Sequence, residues 1–184
     1  GTSSQETKGW RASNVQRYEL SDGRFIVVSY EMDLGYRVDT IELDGSVTSV
    51  STPGTRGDMG QCGDRILSIV DTKQLWRRKQ EALEAYAAQS GSDGAQPEEL
   101  SVVVQLNDRD GDTPRLVGVA PMIDGLVSGQ REFACEGDVI TMPSVQTGDS
   151  RDVRVMADGG ETGPMVLERW DLSTGQRTII PVID

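Results

Sequence analysis

Short runs of alternating apolar and polar residues dominate the chain, separated by glycine-containing turns at intervals of roughly ten residues. Alternation with a period of two is typical of half-buried strands, and an Asp-Gly pair favours the tight turn of a hairpin, because such a turn needs positive φ. Asp22-Gly23 and Asp44-Gly45 are such pairs. The pattern predicts an antiparallel meander of four strands over residues 15–20, 24–32, 36–43 and 46–50.

The rest of the chain repeats this pattern with one interruption. Residues 73–89 contain neither Gly nor Pro and carry apolar side chains at helical spacing, so they predict a helix, followed by a flexible connector to residue 97. Residues 52–60 are rich in Gly and Pro and predict a loop, and residues 108–114 predict a turn. Further strands are predicted at 65–70, 100–106, 115–122, 126–134, 139–145, 153–157, 165–172 and 176–182. The fold class is therefore mainly β, with antiparallel meanders and one inserted α-helix, the whole insertion spanning about 73–97.

A weak internal repeat runs through this layout. Gly63-Asp64-Arg65-Ile66-Leu67 and Gly137-Asp138-Val139-Ile140-Thr141 each open a strand beside a cysteine, giving approximate units of 14–60, 61–134 and 135–184. Together with the hairpin Trp170–Gln176, this spacing resembles the blades of β-propeller proteins, which are four-stranded meanders. The resemblance implies propeller-like blades. A β-sandwich built from the same meanders is the alternative.

The length of 184 residues fits a single β-rich domain over residues 14–184. Residues 1–9 carry no large apolar side chain and no initiator Met. We therefore interpret residues 1–13 as a disordered tether, left where a signal peptide or membrane anchor has been removed. No run of apolar residues is long enough to cross a membrane, so contact with a membrane is expected only through such an anchor.

The two cysteines, Cys62 and Cys135, occupy matching places in the repeat. Equivalent positions on adjacent units can lie close enough to form a disulfide, which is typical of proteins outside the cytoplasm. Two buried free thiols in a cytosolic protein are the alternative. The matching context favours the disulfide and an exported or membrane-anchored bacterial protein, secreted or held at the surface as a lipoprotein.

Composition excludes several classes of chemistry. The formal net charge is −12, and an acidic surface makes nucleic acid a poor partner. Histidine is absent, which removes the commonest general base and metal ligand. There is no CxxC motif, no nucleophile motif and no phosphate-binding loop. No catalytic residue, metal or cofactor is predicted.

Two groups of carboxylates are candidates for functional sites. Asp108, Asp110 and Asp112 resemble a calcium loop, but the positions that need Gly and Glu are occupied by Thr113 and Val119, so a solvated hairpin tip is expected. Paired carboxylates can also hydrolyse glycosides. The candidates for a hydrolase acting on carbohydrate or peptide lie in Gly-rich loops: Asp149, Asp152, Asp158 and Glu161.

The predicted helix has a net positive charge in an otherwise acidic chain, with four basic side chains against two acidic ones. Its spacing predicts that Trp76 and Leu83 are mostly buried against the β-structure, whereas Arg77 and Arg78 face solvent. Arg77, Arg78 and Lys79 are therefore candidates for docking an acidic partner, although a helix that caps the β-structure explains the same charges. The sequence as a whole favours a non-catalytic extracytoplasmic binding or scaffolding domain for a protein or cell-envelope ligand, and the hydrolase is the alternative.

Overall fold

The computed structural model describes residues 14–31, 35–52, 57–71, 78–91, 97–123, 126–127, 133–146 and 165–182. Within these ranges the chain is mainly antiparallel β-structure with a single helix, which confirms the predicted fold class. The chain divides into two compact units, of which the first ends at Thr55 and the second begins at Arg56.

Sheet A, in the first unit, is a four-stranded antiparallel meander in chain order and confirms the strands predicted there. One of its faces buries Ile26, Val28 and Val38, while the residues between them lie on the opposite face, as the period of a strand requires. Its strands are β1 (Asn14–Glu19), β2 (Phe25–Glu31), β3 (Gly35–Ile41) and β4 (Val47–Thr52).

The second unit holds two more meanders, sheet B and sheet C. Sheet B consists of β5 (Asp58–Cys62), β6 (Arg65–Asp71), β7 (Leu100–Asp110) and β8 (Thr113–Pro121). Sheet C consists of β9 (Leu126–Val127), β10 (Ala134–Glu136), β11 (Val139–Gln146), β12 (Met165–Asp171) and β13 (Arg177–Pro181), with β9 and β10 both paired to β11. The sheets do not close into a barrel, and the described strands form no closed propeller.

The Asp-Gly hairpins have three-residue loops in place of the two-residue turn that an Asp-Gly pair most often forms. Leu20 donates its amide to the carbonyl of Arg24 at 2.8 Å, so the loop has three residues and only its last, Gly23, needs positive φ (87°). The Asp22 carboxylate accepts the amide of Arg24 at 3.0 Å. Asp44 repeats this arrangement, and hydrogen bonds from the hydroxyl and amide of Ser46 lower the pKa of its carboxyl group. Side-chain bonding to the backbone is what places Asp in such turns.

Two predicted boundaries in sheet B are wrong. The loop expected over 52–60 contains the start of β5. Gly60 lies in this strand and not in a turn, and it allows Phe133 to approach closely, because a Cβ built at Gly60 would lie 2.6 Å from Cδ2 of Phe133. The turn expected over 108–114 contracts to residues 111–112, since β7 and β8 continue outward and Arg115 Nε pairs with Asp108 Oδ2 at 2.9 Å.

One predicted strand and the helix match the structure in part, and a second predicted strand lies outside the described ranges. The strand predicted at 126–134 is represented by β9 and the first residue of β10, with residues 128–132 outside the described ranges, and the one at 153–157 lies wholly outside them. Helix α1 (Lys79–Ser90) lies between β6 and β7 and packs on β7 and β8. Its buried residue is Ala82, and Leu83 is only partly buried.

Candidate interaction sites

Sheets B and C pack face to face around a shared apolar core in the second unit. Trp170 at its centre is fully buried. Glycine permits the close approach of the two sheets at Gly118, where a Cβ would lie 2.7 Å from Cδ2 of Leu172. The core residues are Cys62, Leu67, Ile69, Val103, Ala120, Phe133, Ile140, Met142, Trp170 and Leu172.

The two sheets use different faces in this contact. In the sequence repeat, Ile66 and Leu67 are equivalent to Ile140 and Thr141. Leu67 contributes to the shared core from sheet B, whereas Ile140, and not Thr141, contributes from sheet C. Because successive side chains alternate across a strand, one face of sheet B packs on the opposite face of sheet C. The stacking is head-to-tail, which is the kind of contact that can be continued by further units.

A disulfide joins the repeat-equivalent hairpins of the two sheets. Cys62 and Cys135 are bonded, with their Cα atoms 5.1 Å apart, which confirms the predicted pairing. Beside it, Arg65 Nη2 donates to the carboxylate of Asp138 at 2.9 Å and to the carbonyl of Gly137 at 3.2 Å. The Arg65–Asp138 pair is solvent-exposed, so the covalent bond is the stronger of the two links.

A buried ion pair within sheet C holds the arginine that forms a third link to sheet B. Glu168 on β12 has no exposed side-chain area, and its Oε1 accepts a hydrogen bond from Nε of Arg177 on β13. The hydroxyl of Ser144 lies 3.4 Å from Oε2 of Glu168. Only 10% of the Arg177 side chain is exposed. A buried carboxylate without such partners would be strongly destabilising.

Arg177 also forms hydrogen bonds to sheet B and so connects this ion pair to the other sheet. Its Nη1 donates to the hydroxyl of Ser101 at 2.8 Å and to the carbonyl of Pro121 at 3.3 Å. The guanidinium also stacks over the ring of Trp170, with the Cζ atom 5.0 Å from the ring centroid. The cluster is mostly buried and satisfies the charge of Glu168, so its role in the described structure is to lock the two sheets together.

Sequence reasoning did not identify Glu168 or Arg177. The alternation of side chains along β12 could have identified Glu168, because Glu168 lies on the same face of the strand as Val166 and Trp170, which are both buried. A charged residue in the buried phase of a strand predicts a buried partner. Two buried polar atoms, Nε1 of Trp170 and Oγ of Ser68, have no hydrogen-bond partner among the described residues.

The described helix residues that were proposed for docking differ in their exposure to solvent. The prediction that Arg78 faces solvent is wrong: only 14% of its side chain is exposed, and Nη1 donates to the carbonyl of Pro114 at 2.7 Å. Glu81 accepts two further bonds from the same guanidinium, which lower the pKa of the Glu81 carboxyl group. Lys79 is exposed. Arg77 and Trp76 lie outside the described residues.

The acidic candidates form no cluster in the described part of the chain. Asp108 pairs with Arg115, and the backbone carbonyl of Asp112 accepts a bond from Arg109. Across the described ranges no group of three carboxylate or cysteine residues is placed to hold a metal ion. The loop carboxylates behind the hydrolase alternative lie outside the described residues, and that alternative stays a prediction: Asp149, Asp152, Asp158 and Glu161.

Exposed apolar side chains occur at one end of sheet A. Phe25, Ile41 and Val47 stand in one cross-strand row, and Phe25 and Val47 are 43% and 55% exposed. Leu43, at the tip of the neighbouring hairpin, is 74% exposed. The row ends at β4, an edge strand that pairs only with β3 among the described strands. We call Phe25, Ile41, Leu43 and Val47 the tip patch.

None of the described helices is long and apolar enough to cross a bilayer. No protein-family model, curated protein or solved structure matches the chain significantly.

Proposed function

We propose that this chain is a non-catalytic binding domain that works outside the cytoplasm and accepts an extended segment of a partner protein as an additional strand beside β4. The observation that carries the proposal is an uncharged edge strand next to the tip patch, whose outer side pairs with none of the described strands. Strand addition of this kind draws its affinity from backbone hydrogen bonds and its specificity from side-chain contacts on either face.

The composition of β4 favours strand addition. Its sequence, Val-Thr-Ser-Val-Ser-Thr, contains no charge and no proline, and residues 47–49 and 51 are exposed. Proteins usually protect edge strands with lysine, proline or a bulge, because an open row of amide and carbonyl groups recruits other strands. The absence of these protective features within β4 supports a strand kept open for a partner.

The surroundings of β4 define the chemistry of that partner. The tip patch offers apolar contact to side chains on one face of an added strand. The described residues of sheet A and its turns carry three arginines against six carboxylates. We therefore expect a partner segment that is apolar where it crosses the tip patch and basic at its flanks, because opposite charges favour encounter and register.

The hydrogen-bond pattern identifies the groups that would be used. Glu42 donates its amide to the carbonyl of Ser46 at 2.9 Å, so the alternation of an antiparallel ladder places Thr48 and Val50 in bonds to β3. The same alternation directs the backbone groups of Val47, Ser49 and Ser51 toward the open edge. An added strand would bond to these three residues.

A substitution at Ser49 tests this assignment. Linear peptides selected from a displayed library against the whole chain are expected to bind Ser49→Pro at least about tenfold more weakly, since proline removes an outward donor and disturbs the edge. Ser49→Ala is the matched control, because both variants lose the hydroxyl that Arg37 contacts at 3.2 Å. Proline is tolerated on an edge strand, so both variants should keep the parent's melting temperature.

Hydrogen exchange provides a second readout on the unaltered chain. Bound peptide should slow exchange at the amides of Val47, Ser49 and Ser51 and leave the amides already bonded to β3 unchanged. Peptides that bind Ser49→Pro and the parent equally, or a library that yields no binder, would contradict the proposal.

The localisation and the blade-like architecture belong to the same proposal. The disulfide supports an exported or membrane-anchored protein, because such bonds persist in oxidising compartments. The head-to-tail stacking of sheets B and C supports propeller-like blades in preference to a symmetric sandwich, since blades repeat one contact around a ring.

A further inference from the structure

Arg37 places a guanidinium group close to the edge of sheet A at which strand addition is proposed. Its Nη2 donates to the hydroxyl of Ser49 on β4 at 3.2 Å. Its Nε donates to Oδ1 of Asp39 on β3 at 2.8 Å. The head of this side chain therefore reaches from β3, to which the residue belongs, across to the edge strand.

The cross-strand register puts the guanidinium beside the tip patch. Ile41 is paired with Val47, and Asp39 is paired with Ser49. Because side chains alternate along a strand, these four residues and Arg37 all lie on one face of sheet A. Along the open edge, an added strand would therefore meet an apolar side chain at Val47 and a cation at Ser49.

The ion pair of Arg37 with Asp39 has its positive end toward this edge. Asp39 lies on β3, behind the edge strand, and 18% of its side chain is exposed. The Arg37 side chain is 32% exposed, and its Nη2 lies at β4. A group on an added strand would thus approach the guanidinium before the carboxylate. A negatively charged acceptor suits this position, because a guanidinium has donors only and forms its strongest hydrogen bonds with ionised acceptors.

We propose that Arg37 makes the β4 edge selective for a partner strand that carries an acidic residue opposite Ser49 and an apolar residue opposite Val47. The proposal rests on strand addition at β4 and names the side chains that the partner needs there. The carboxylate lies inside the added segment, whereas the basic charge expected from the net negative charge of sheet A lies at its flanks.

The geometry of the ladder fixes the order of the two side chains. Antiparallel pairing is the more stable arrangement, and it runs against the direction of β4, in which Val47 precedes Ser49. Along the partner, the acidic residue therefore comes two positions before the apolar one. Side chains directly opposite each other in such a ladder have Cβ atoms about 5 Å apart, so a carboxylate opposite Ser49 reaches the guanidinium that lies there.

The test selects displayed linear peptides against the whole chain and against the variant Arg37→Gln, which removes the charge and keeps a polar side chain. Peptides selected on the parent should be enriched in Asp or Glu two positions before an apolar residue, and peptides selected on the variant should not. In a binder selected on the parent, replacing the acidic residue by its amide should weaken binding about threefold, within the range of exposed ion pairs. Binding of the same two peptides to Arg37→Gln should be equal.

Arg17→Gln is the matched control, because Arg17 lies on the same face of sheet A but on β1, at the opposite edge. This variant should keep the preference of the parent for the acidic peptide. Binders selected on the parent that lack the carboxylate would overturn the role of Arg37, as would a preference for the carboxylate that survives in Arg37→Gln. Protection of the β4 amides by bound peptide is measured separately, so either result leaves the proposed function standing, whereas a library without binders contradicts that function itself.

Discussion

Arg177→Met is expected to lower the free energy of unfolding of the second unit by about 3–5 kcal/mol, because it leaves the buried carboxylate of Glu168 without its counter-ion. Glu168 has no exposed side-chain area, and its other polar contact is the Ser144 hydroxyl at 3.4 Å. The substitution also removes the bonds to Ser101 and Pro121 that link the two sheets. Urea denaturation followed by circular dichroism measures the loss.

Two further variants separate this effect from general damage. Glu168→Met/Arg177→Met removes both charges and should recover most of the loss, since apolar residues of similar size often replace a buried pair at little cost. Arg115→Met breaks a pair with Asp108 in which both side chains are well exposed, and should cost no more than about 0.5 kcal/mol. A single variant Arg177→Met as stable as Arg115→Met would mean that Glu168 is not buried with its charge.

Replacing both cysteines by alanine is expected to cost about 4 kcal/mol of unfolding free energy, the chain-entropy value for a loop of this length. The bond joins residues 73 positions apart and connects the two sheets covalently, so its loss frees most of the second unit in the unfolded state. Alanine is preferred to serine because Cys62 is buried.

Reduction of the parent with dithiothreitol provides the control for the cysteine variant, since it breaks the same bond and adds only one hydrogen to each sulfur. The reduced parent and the double variant should unfold at similar urea concentrations, both well below that of the oxidised parent. Equal stability of the oxidised and reduced parent would show that the bridge does not constrain the second unit.

Much of the fold could be predicted because local signals and topology agree. The Asp-Gly turns separate the strands of sheet A, and adjacent strands along the chain are also neighbours in the sheet. The pairing of Cys62 with Cys135 followed from the repeated Gly-Asp hairpin, which survives because the two hairpins sit in equivalent places of stacked sheets. The local sequence was enough to predict this long-range contact because the repeat marks the two hairpins as equivalent.

The candidate sites could be predicted less well, for physical reasons. A period of two separates the faces of a strand but does not say which sheet covers each face, so the exposure of Val47 and Ile180 depends on contacts far along the chain. Arg78 was expected to face solvent because helical spacing cannot show that the carbonyl of Pro114 lies within reach. Gly60 suggested a turn, whereas its missing side chain makes room for Phe133.

The central claim is that the disulfide joins the two stacked sheets in a protein that works outside the cytoplasm. The redox state of Cys62 and Cys135 in intact cells tests this claim most directly. Free thiols would be alkylated before lysis, and the chain then digested without reduction and examined by mass spectrometry. We expect one linked pair of peptides containing Cys62 and Cys135, and no alkylated cysteine. Recovery of both cysteines in alkylated form would contradict the bridge in the native compartment and, with it, the extracytoplasmic assignment.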